Sequence, residues 1–125
     1  MNRSTRSVVV AIMLGSAACK GDSTSPSVMP TATTTITITS NGVSPKAIVI
    51  GAGSQVNFVN NDSRQHEMDS DPHPEHTDCP AINQVDLIVA GQSKQTGNLN
   101  VVRTCGYHDH LNEGNQALHG TITIQ

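Results

Sequence analysis

Apolar and polar residues alternate with a period of two from Thr33 onward, and this alternation limits the folds open to the chain. The clearest run is Thr35-Ile36-Thr37-Ile38-Thr39, in which isoleucine alternates with threonine. Such alternation is typical of a half-buried β-strand, and no segment shows the 3.6-residue period of an amphipathic helix. The sequence therefore predicts an all-β domain.

Glycine, proline and asparagine divide the alternating sequence into short segments. We expect strands at residues 35–39, 47–50, 55–60, 85–89, 97–102, 105–109 and 120–124. Between the third and fourth of these, Pro72, Pro74 and Pro80 forbid long regular structure. Seven or eight short strands over roughly ninety residues favour a β-sandwich or a small barrel.

The N-terminal segment has the layout of an export signal. Arg3 and Arg6 make a basic start, Val8–Leu14 is apolar, and small residues follow up to Ala18. We therefore expect residues 1–18 to direct export and to be removed.

The residues around Cys19 resemble the lipobox of bacterial lipoproteins, in which the cysteine is acylated and becomes the mature N-terminus. Ala-Ala-Cys precedes a polar stretch rich in serine and proline, although Ser16 stands where the family usually has leucine. The resemblance implies lipidation of Cys19 at the bacterial cell envelope, periplasmic or on the outer surface. Residues 19–32 would then be a flexible tether and residues 33–125 the domain. Cleavage without lipidation, which leaves a soluble secreted protein, is the alternative.

Composition argues against several functions. The seven lysines and arginines are spread thinly, and the aromatic residues are Phe58 and Tyr107. Neither a basic stripe nor a base-stacking surface for nucleic acid can be built from them. No Gly-x-Ser-x-Gly, phosphate-binding glycine loop or His-Glu-x-x-His occurs, so we expect no enzymatic activity.

The cysteine count favours a disulfide. If Cys19 carries a lipid, Cys79 and Cys105 remain, and an even pair in an oxidising compartment usually pairs. Such a bridge could stabilise this small domain by roughly 3 kcal/mol by restricting the unfolded chain.

The six histidines all follow residue 65 and fall into two groups. His108 and His110 flank Asp109, and alternation along a strand puts both imidazoles on one face, a recurrent way to bind a transition metal. In the acid-rich loop, His73 and His76 could form a second metal site with Glu75, Asp78 or Met68. An exposed strand end and a merely solvated loop are the respective alternatives.

Two long stretches resemble a cupredoxin. The run from Thr35 to Asp62, followed by His66, is similar to that family's opening: a strand, a Ser-Pro-Lys corner, a glycine turn and an Asn-Asn/Asp corner before the first copper-ligating histidine. Ala90–Ser93, Gly106–His108 and Leu118–Ile124 resemble the family's later turn, ligand loop and closing strand. The resemblance covers residues 33–125 and implies a Greek-key β-sandwich that binds copper, with His66 as a ligand.

The ligand loop departs from the family's pattern. Blue copper sites use two histidines, a cysteine thiolate and a weak axial methionine. With Tyr107 aligned to the family, Asp109 occupies the cysteine position and Leu118 the methionine position. A second register makes Cys105 the thiolate and His110 its neighbour, but leaves Cys79 unpaired. We favour the first register, and the second stays open.

We therefore expect an exported protein that holds or delivers one copper ion. The expected ligands are His66, His108 and His110, with Asp109 and, only if it is not in a disulfide, Cys105. Electron transfer would require Cys105 as a thiolate. Expected partners are the copper ion and the membrane, through the lipid anchor alone; the sequence identifies no protein partner. The alternative is a metal-free, disulfide-linked β-sandwich that acts as a surface-anchored binding or structural domain.

Overall fold

The computed structural model describes residues 27–125, which form an all-β domain of short strands. The ten strands of this range are β1 Thr31–Ala32, β2 Thr35–Thr39, β3 Gly42–Ser44, β4 Ala47–Ile50, β5 Asn57–Asn60, β6 His66–Ser70, β7 Asp86–Ile88, β8 Ser93–Gln95, β9 Arg103–Asp109 and β10 Gly120–Ile124. Three short 3₁₀ helices cover Ile82–Val85, His110–Asn112 and Gln116–Leu118. Within the described range, no helix has the length and apolar character needed to cross a bilayer.

The strands form two mixed sheets. The first has the order β1-β4-β10-β9-β6-β7 and the second the order β3-β2-β5-β8. Strand β10 runs parallel to β4 and antiparallel to β9, and β9 is antiparallel to β6. The predicted all-β sandwich is confirmed. Strands β6 and β9 lie side by side near the middle of the first sheet, and the histidine-bearing segments continue from them.

The core lies between the two sheets and follows from the alternation in the sequence. In β2, Ile36 and Ile38 are fully buried while the threonines face outward or are half-buried. Ile122 of β10 is fully buried in the same way. Fully burying such a side chain contributes about 1.5–3 kcal/mol. Phe58 meets Tyr107 edge to face with ring centroids 5.2 Å apart, so the two aromatic residues of the chain join in the core.

The strand predictions were wrong in one segment and incomplete in others. Residues 97–102 form only an isolated bridge between Leu99 and Ser54, and Val101 and Val102 are 67% and 69% exposed. The apolar residues that suggested a strand in this segment include these two exposed valines, so the pattern there does not mark the buried face of a strand. Strands β3, β6 and β8 were not predicted, because β3 and β8 have three residues each and β6, His-Glu-Met-Asp-Ser, lacks an alternating apolar pattern.

The predicted signal segment and the lipidation of Cys19 lie outside the described residues, as does most of the predicted tether. The last two tether residues, Thr31 and Ala32, form β1 and pair with β4 in parallel register. Within the described residues, the first strand therefore begins at Thr31, two residues before residue 33.

Candidate metal centre

Four imidazoles from two separate segments meet beside strand β9. His73 and His76 lie in the loop after β6, whereas His108 belongs to β9 and His110 to the helix that follows it. One ligand atom from each of the four rings lies within 4.8 Å of the others. We call this set, His73, His76, His108 and His110, the four-histidine cluster.

The spacing of the ring nitrogens fits a shared ion. Nε2 of His76 lies 3.4 Å from Nδ1 of His73 and 3.3 Å from Nδ1 of His110. Imidazole nitrogens bind zinc at about 2.0–2.1 Å, which places tetrahedral neighbours roughly 3.3 Å from one another. These two pairs are therefore already at the separation that a metal ion of this size requires.

A carboxylate orients the His108 ring so that its other nitrogen can bind a metal. Its Nδ1 donates to Oδ1 of Asp71 at 2.7 Å, which leaves Nε2 as the nitrogen with a free lone pair. That Nε2 is buried and has no hydrogen-bond partner among residues 27–125. Metal-binding histidines usually donate their other nitrogen in this way. Gly106 makes the contact feasible, because a Cβ at that position would collide with the Asp71 carboxylate.

His76 has a second carboxylate partner, Asp69. Nδ1 of His76 lies 3.3 Å from Oδ2 of Asp69, so Nε2 is directed to the other rings. His76 also has a positive φ of 51°, a conformation that is uncommon for residues with a side chain and recurs at functional sites.

The pKa of His76 is held below its usual value. Burial is the largest cause, and the other three cluster imidazoles lower the pKa further, while the Asp69 carboxylate acts in the opposite direction. The neutral, metal-ligating form of His76 is therefore favoured.

The cluster is open to solvent on one side. His73 is exposed, His76 and His110 are half-buried, and His108 is fully buried. His119 packs against His108 with ring centroids 5.7 Å apart, but its Nε2 donates to the carbonyl oxygen of Glu113 at 2.6 Å. An ion could therefore enter past His73 and be held against the protein by His108.

His66 lies elsewhere, in a buried ion-pair network. Its Nδ1 is 2.8 Å from Oδ2 of Asp109, and its Nε2 is 3.1 Å from Oδ2 of Asp62. The side chain is fully buried. Because each ring nitrogen faces a carboxylate oxygen, neither nitrogen is directed at a metal site in this arrangement.

Asp109 is the centre of that network. Its Oδ1 accepts from the backbone amides of Glu67 and Leu111, and its Oδ2 accepts from the Asn112 side chain at 2.7 Å. Burial alone would raise the pKa of Asp109, but the hydrogen bonds from Glu67, His66 and Asn112 outweigh it and hold the pKa below its usual value. The carboxylate is therefore an internal acceptor that caps the end of β9.

The ionised carboxylate of Asp62 is stabilised in a similar way. Burial would raise its pKa, but hydrogen bonds from the Ser63 amide, Arg64 and His66 leave the pKa below its usual value. Arg64 contributes both Nε and Nη2, at 3.1 and 3.0 Å from Oδ2. The network thus joins the corner before β6 to the end of β9 without a metal.

The predicted disulfide is confirmed. Cys79 and Cys105 are bonded, with a sequence separation of 26 residues. Cys105 therefore offers no thiolate, and the register that required one does not apply. Leu118, at the family's methionine position, is buried and has no ligand atom. The residues present do not fit a blue copper site, because both the thiolate and the axial sulfur are missing.

The structure groups the candidate residues differently from our expectation. His73 and His76, expected to form a second site, lie with His108 and His110, whereas His66 and Asp109 pair with each other. Period-two alternation explains part of this division, since Asp109 lies between His108 and His110 and its side chain points the other way. Sequence reasoning did not identify Asp69 and Asp71 as partners of the cluster. Both residues belong to the acid-rich stretch of the sequence, but the sequence does not indicate which imidazole ring each carboxylate contacts.

Comparisons with known proteins agree on the fold. No sequence-family model matches the chain, and no curated protein matches it by sequence. Similar solved structures include a purple cupredoxin from Nitrosopumilus maritimus, with a TM-score of 0.58, 16% identity and coverage of 74% of this chain and 100% of that one. Oxidised plastocyanin from Dryopteris crassirhizoma gives 0.57 and 16%, over 73% and 99% of the two chains. Reduced auracyanin from Roseiflexus castenholzii gives 0.52 and 18%, over 76% and 99%.

Because these sequence identities are low, the similarity shows the fold of the chain and does not identify its metal ligands. The two mixed sheets agree with the fold that the resemblance of the sequence implies. The described part of the chain is a cupredoxin-like domain.

Proposed function

We propose that this protein is exported and holds or delivers copper at the cell envelope, and that it binds one Cu(II) ion through the four-histidine cluster. The observation that carries the proposal is the convergence of four ring nitrogens within 4.8 Å, one of them the buried and unpartnered Nε2 of His108. Imidazole suits Cu(II), and Cu(II) binds nitrogen sites more tightly than other divalent first-row ions do.

The surroundings of the cluster support holding or delivery more than electron transfer. Electron transfer was expected only with Cys105 as a thiolate, and Cys105 is bonded to Cys79. The exposed His73 gives the ion a route to and from solvent. A bound copper ion would supply a positive charge and a redox-capable centre; the chain supplies four nitrogens and two carboxylates that orient them.

The proposed location combines two observations. The sequence before residue 27 has the pattern of an export signal and resembles a lipobox at Cys19. The disulfide is of the kind that persists in oxidising compartments. We propose a periplasmic or outer-surface location with a lipid anchor, so that copper and, through the lipid, the membrane are the partners.

The proposal is tested by titrating the purified protein with Cu(II) against a competing chelator. We expect one ion per chain, and the double variant His73→Ala/His76→Ala should lose at least about 100-fold in affinity, because it removes two ligands while outer partners alone are worth about 10–100-fold. Both residues lie in a loop, so the fold should survive. His119→Gln is the matched control, since it removes an imidazole outside the cluster and should leave affinity within a few-fold. Unchanged Cu(II) affinity in the double variant would contradict the proposal.

One observation favours the alternative of a metal-free structural or binding domain. The His66, Asp62 and Asp109 network ties β6 to β9 at the family's copper position with no ion needed. On this alternative, Cu(II) would bind only weakly and would leave the thermal unfolding temperature unchanged. A stabilisation that grows with free Cu(II) concentration, as linkage requires for an ion bound to the folded state, would exclude it.

A further inference from the structure

The two carboxylates of the four-histidine cluster have no cationic side chain to balance them. Asp69 lies against His76 and His110, at 3.3 and 3.7 Å, and Asp71 lies against His108 at 2.7 Å. In the part of the chain that the structure describes, no lysine or arginine forms a salt bridge with either carboxylate. Other acids of the domain differ in this respect, since Asp62 pairs with Arg64 and Asp78 with Arg103.

Burial makes this missing charge costly. The Asp69 side chain is 8% exposed, and a buried carboxylate is stable only with a compensating charge or several hydrogen bonds. Its contacts within salt-bridge distance are the ring nitrogens of His76 and His110, which are neutral when they ligate a metal. The uncompensated charge of Asp71 costs less, because its side chain is 37% exposed to solvent.

Charge balance then discriminates between ions. Four neutral imidazoles and two carboxylates carry a charge of minus two, which a divalent ion neutralises and a monovalent ion leaves half compensated. Asp69 lies across the His76 ring, and Asp71 across the His108 ring, from the nitrogens that face the ion, and Oδ2 of Asp69 is also 3.7 Å from Nδ1 of His110. An effective dielectric constant of about 20 suits such sites. At that value, the attraction to one carboxylate should raise the affinity for a divalent ion, relative to a monovalent ion, by about tenfold or more.

We propose that Asp69 and Asp71 determine the specificity of the cluster for a divalent over a monovalent ion, so that the protein holds copper as Cu(II) in preference to Cu(I). The inference rests on the proposed function, because it concerns the ion held by the same four histidines. It adds to the preference that four imidazoles already give, since the net negative charge of the carboxylates attracts a divalent ion more strongly than a monovalent one.

The test uses ions that do not change oxidation state, Zn(II) as the divalent probe and Ag(I) as the monovalent one. Affinities of both are measured by competition for the purified protein and for Asp69→Asn, which keeps the shape and an acceptor oxygen but removes the charge. We expect the ratio of Zn(II) to Ag(I) affinity to fall about tenfold, because the divalent ion loses twice the attraction that the monovalent ion loses.

Controls separate charge from position. Asp86→Asn removes the same charge from an exposed residue outside the cluster with nearly the same side-chain shape, and it should leave the ratio unchanged. Asp71→Asn supplies a second, more exposed site if Asp69→Asn does not fold, with a smaller fall in the ratio. An equal fall in both affinities would overturn the inference, since the carboxylates would then only position the rings. Failure of the unaltered protein to bind either ion would instead overturn the proposed function itself.

Discussion

Oδ2 of Asp109 lies 2.8 Å from Nδ1 of His66, so the two residues that the family resemblance assigns to the copper site are bound to each other. Where the resemblance implies a cysteine ligand, this chain has an aspartate that accepts a hydrogen bond from the neighbouring histidine. The imidazole nitrogens that remain available belong to the loop after β6 and the end of β9.

The His66–Asp109 pair should stabilise the fold in a pH-dependent way. Asp109→Asn removes the buried charge opposite His66 and should cost about 3 kcal/mol in the free energy of unfolding at neutral pH. The pKa of Asp109 is lower in the folded protein than its usual value of 3.8, so its contribution is complete above about pH 3.8 and is lost as the pH falls through the folded-state pKa.

Urea unfolding of both proteins at pH 7 and at pH 3 measures this effect. The difference between them should shrink at the lower pH. A constant difference would show that Asp109 acts through shape and not through charge. Cu(II) affinity at pH 7 should stay within a few-fold, since Asp109 lies outside the four-histidine cluster.

Copper binding should weaken as the pH falls through about 6.5, because ligating imidazoles must be neutral and protons compete with the ion. The lowered pKa of His76 keeps this ring neutral further into the acid range than an ordinary imidazole. Cu(II) affinity measured between pH 5 and pH 8 tests this directly. In His76→Ala the pH dependence should be less steep only at the acid end of this range, because the His76 ring is already neutral at higher pH. An affinity independent of pH across this range would point to carboxylate ligands instead.

The sequence was most informative where local pattern alone determines structure. Alternation in Thr35–Thr39 predicted β2 and the buried side of that strand, and the even cysteine count predicted the Cys79–Cys105 bridge. Assembly of the metal centre could not be predicted in the same way. It depends on how the loop carrying His73 and His76 folds back on β9, and therefore on long-range contacts such as that between Asp71 and His108.

The disulfide should matter for both stability and metal affinity. Cys79 ends the loop that carries His73 and His76, and Cys105 lies in β9 with His108, so the bridge ties the two halves of the cluster together. Cys79→Ser/Cys105→Ser should lower the free energy of unfolding by roughly 3 kcal/mol on the loop-entropy estimate. Cu(II) affinity should fall as well, since the loop then loses more freedom on binding.

Denaturant unfolding and a Cu(II) titration of the same double variant measure these two effects. A variant as stable as the parent protein, with unaltered affinity, would show that β6, β9 and the loop are held by their hydrogen bonds alone.

The Cu(II) form should be at most pale. Copper in the cluster meets imidazole nitrogens, and the intense visible absorption of blue copper proteins comes from a thiolate–copper bond that the disulfide forbids. The absorption spectrum of the oxidised, copper-loaded protein checks this. A deep blue colour that disappears in Cys105→Ser would mean that Cys105 is a free thiolate, and one-electron transfer would become the leading function.

The nitrogen hyperfine structure of bound Cu(II) shows whether four histidines from two segments share one ion. Electron paramagnetic resonance of the protein loaded with one equivalent of Cu(II) should show coupling to four imidazole nitrogens. The His73→Ala/His76→Ala variant should show two at most, and His119→Gln should still show four. A signal that is the same in all three proteins would contradict the account, because the ion would then lie outside the four-histidine cluster.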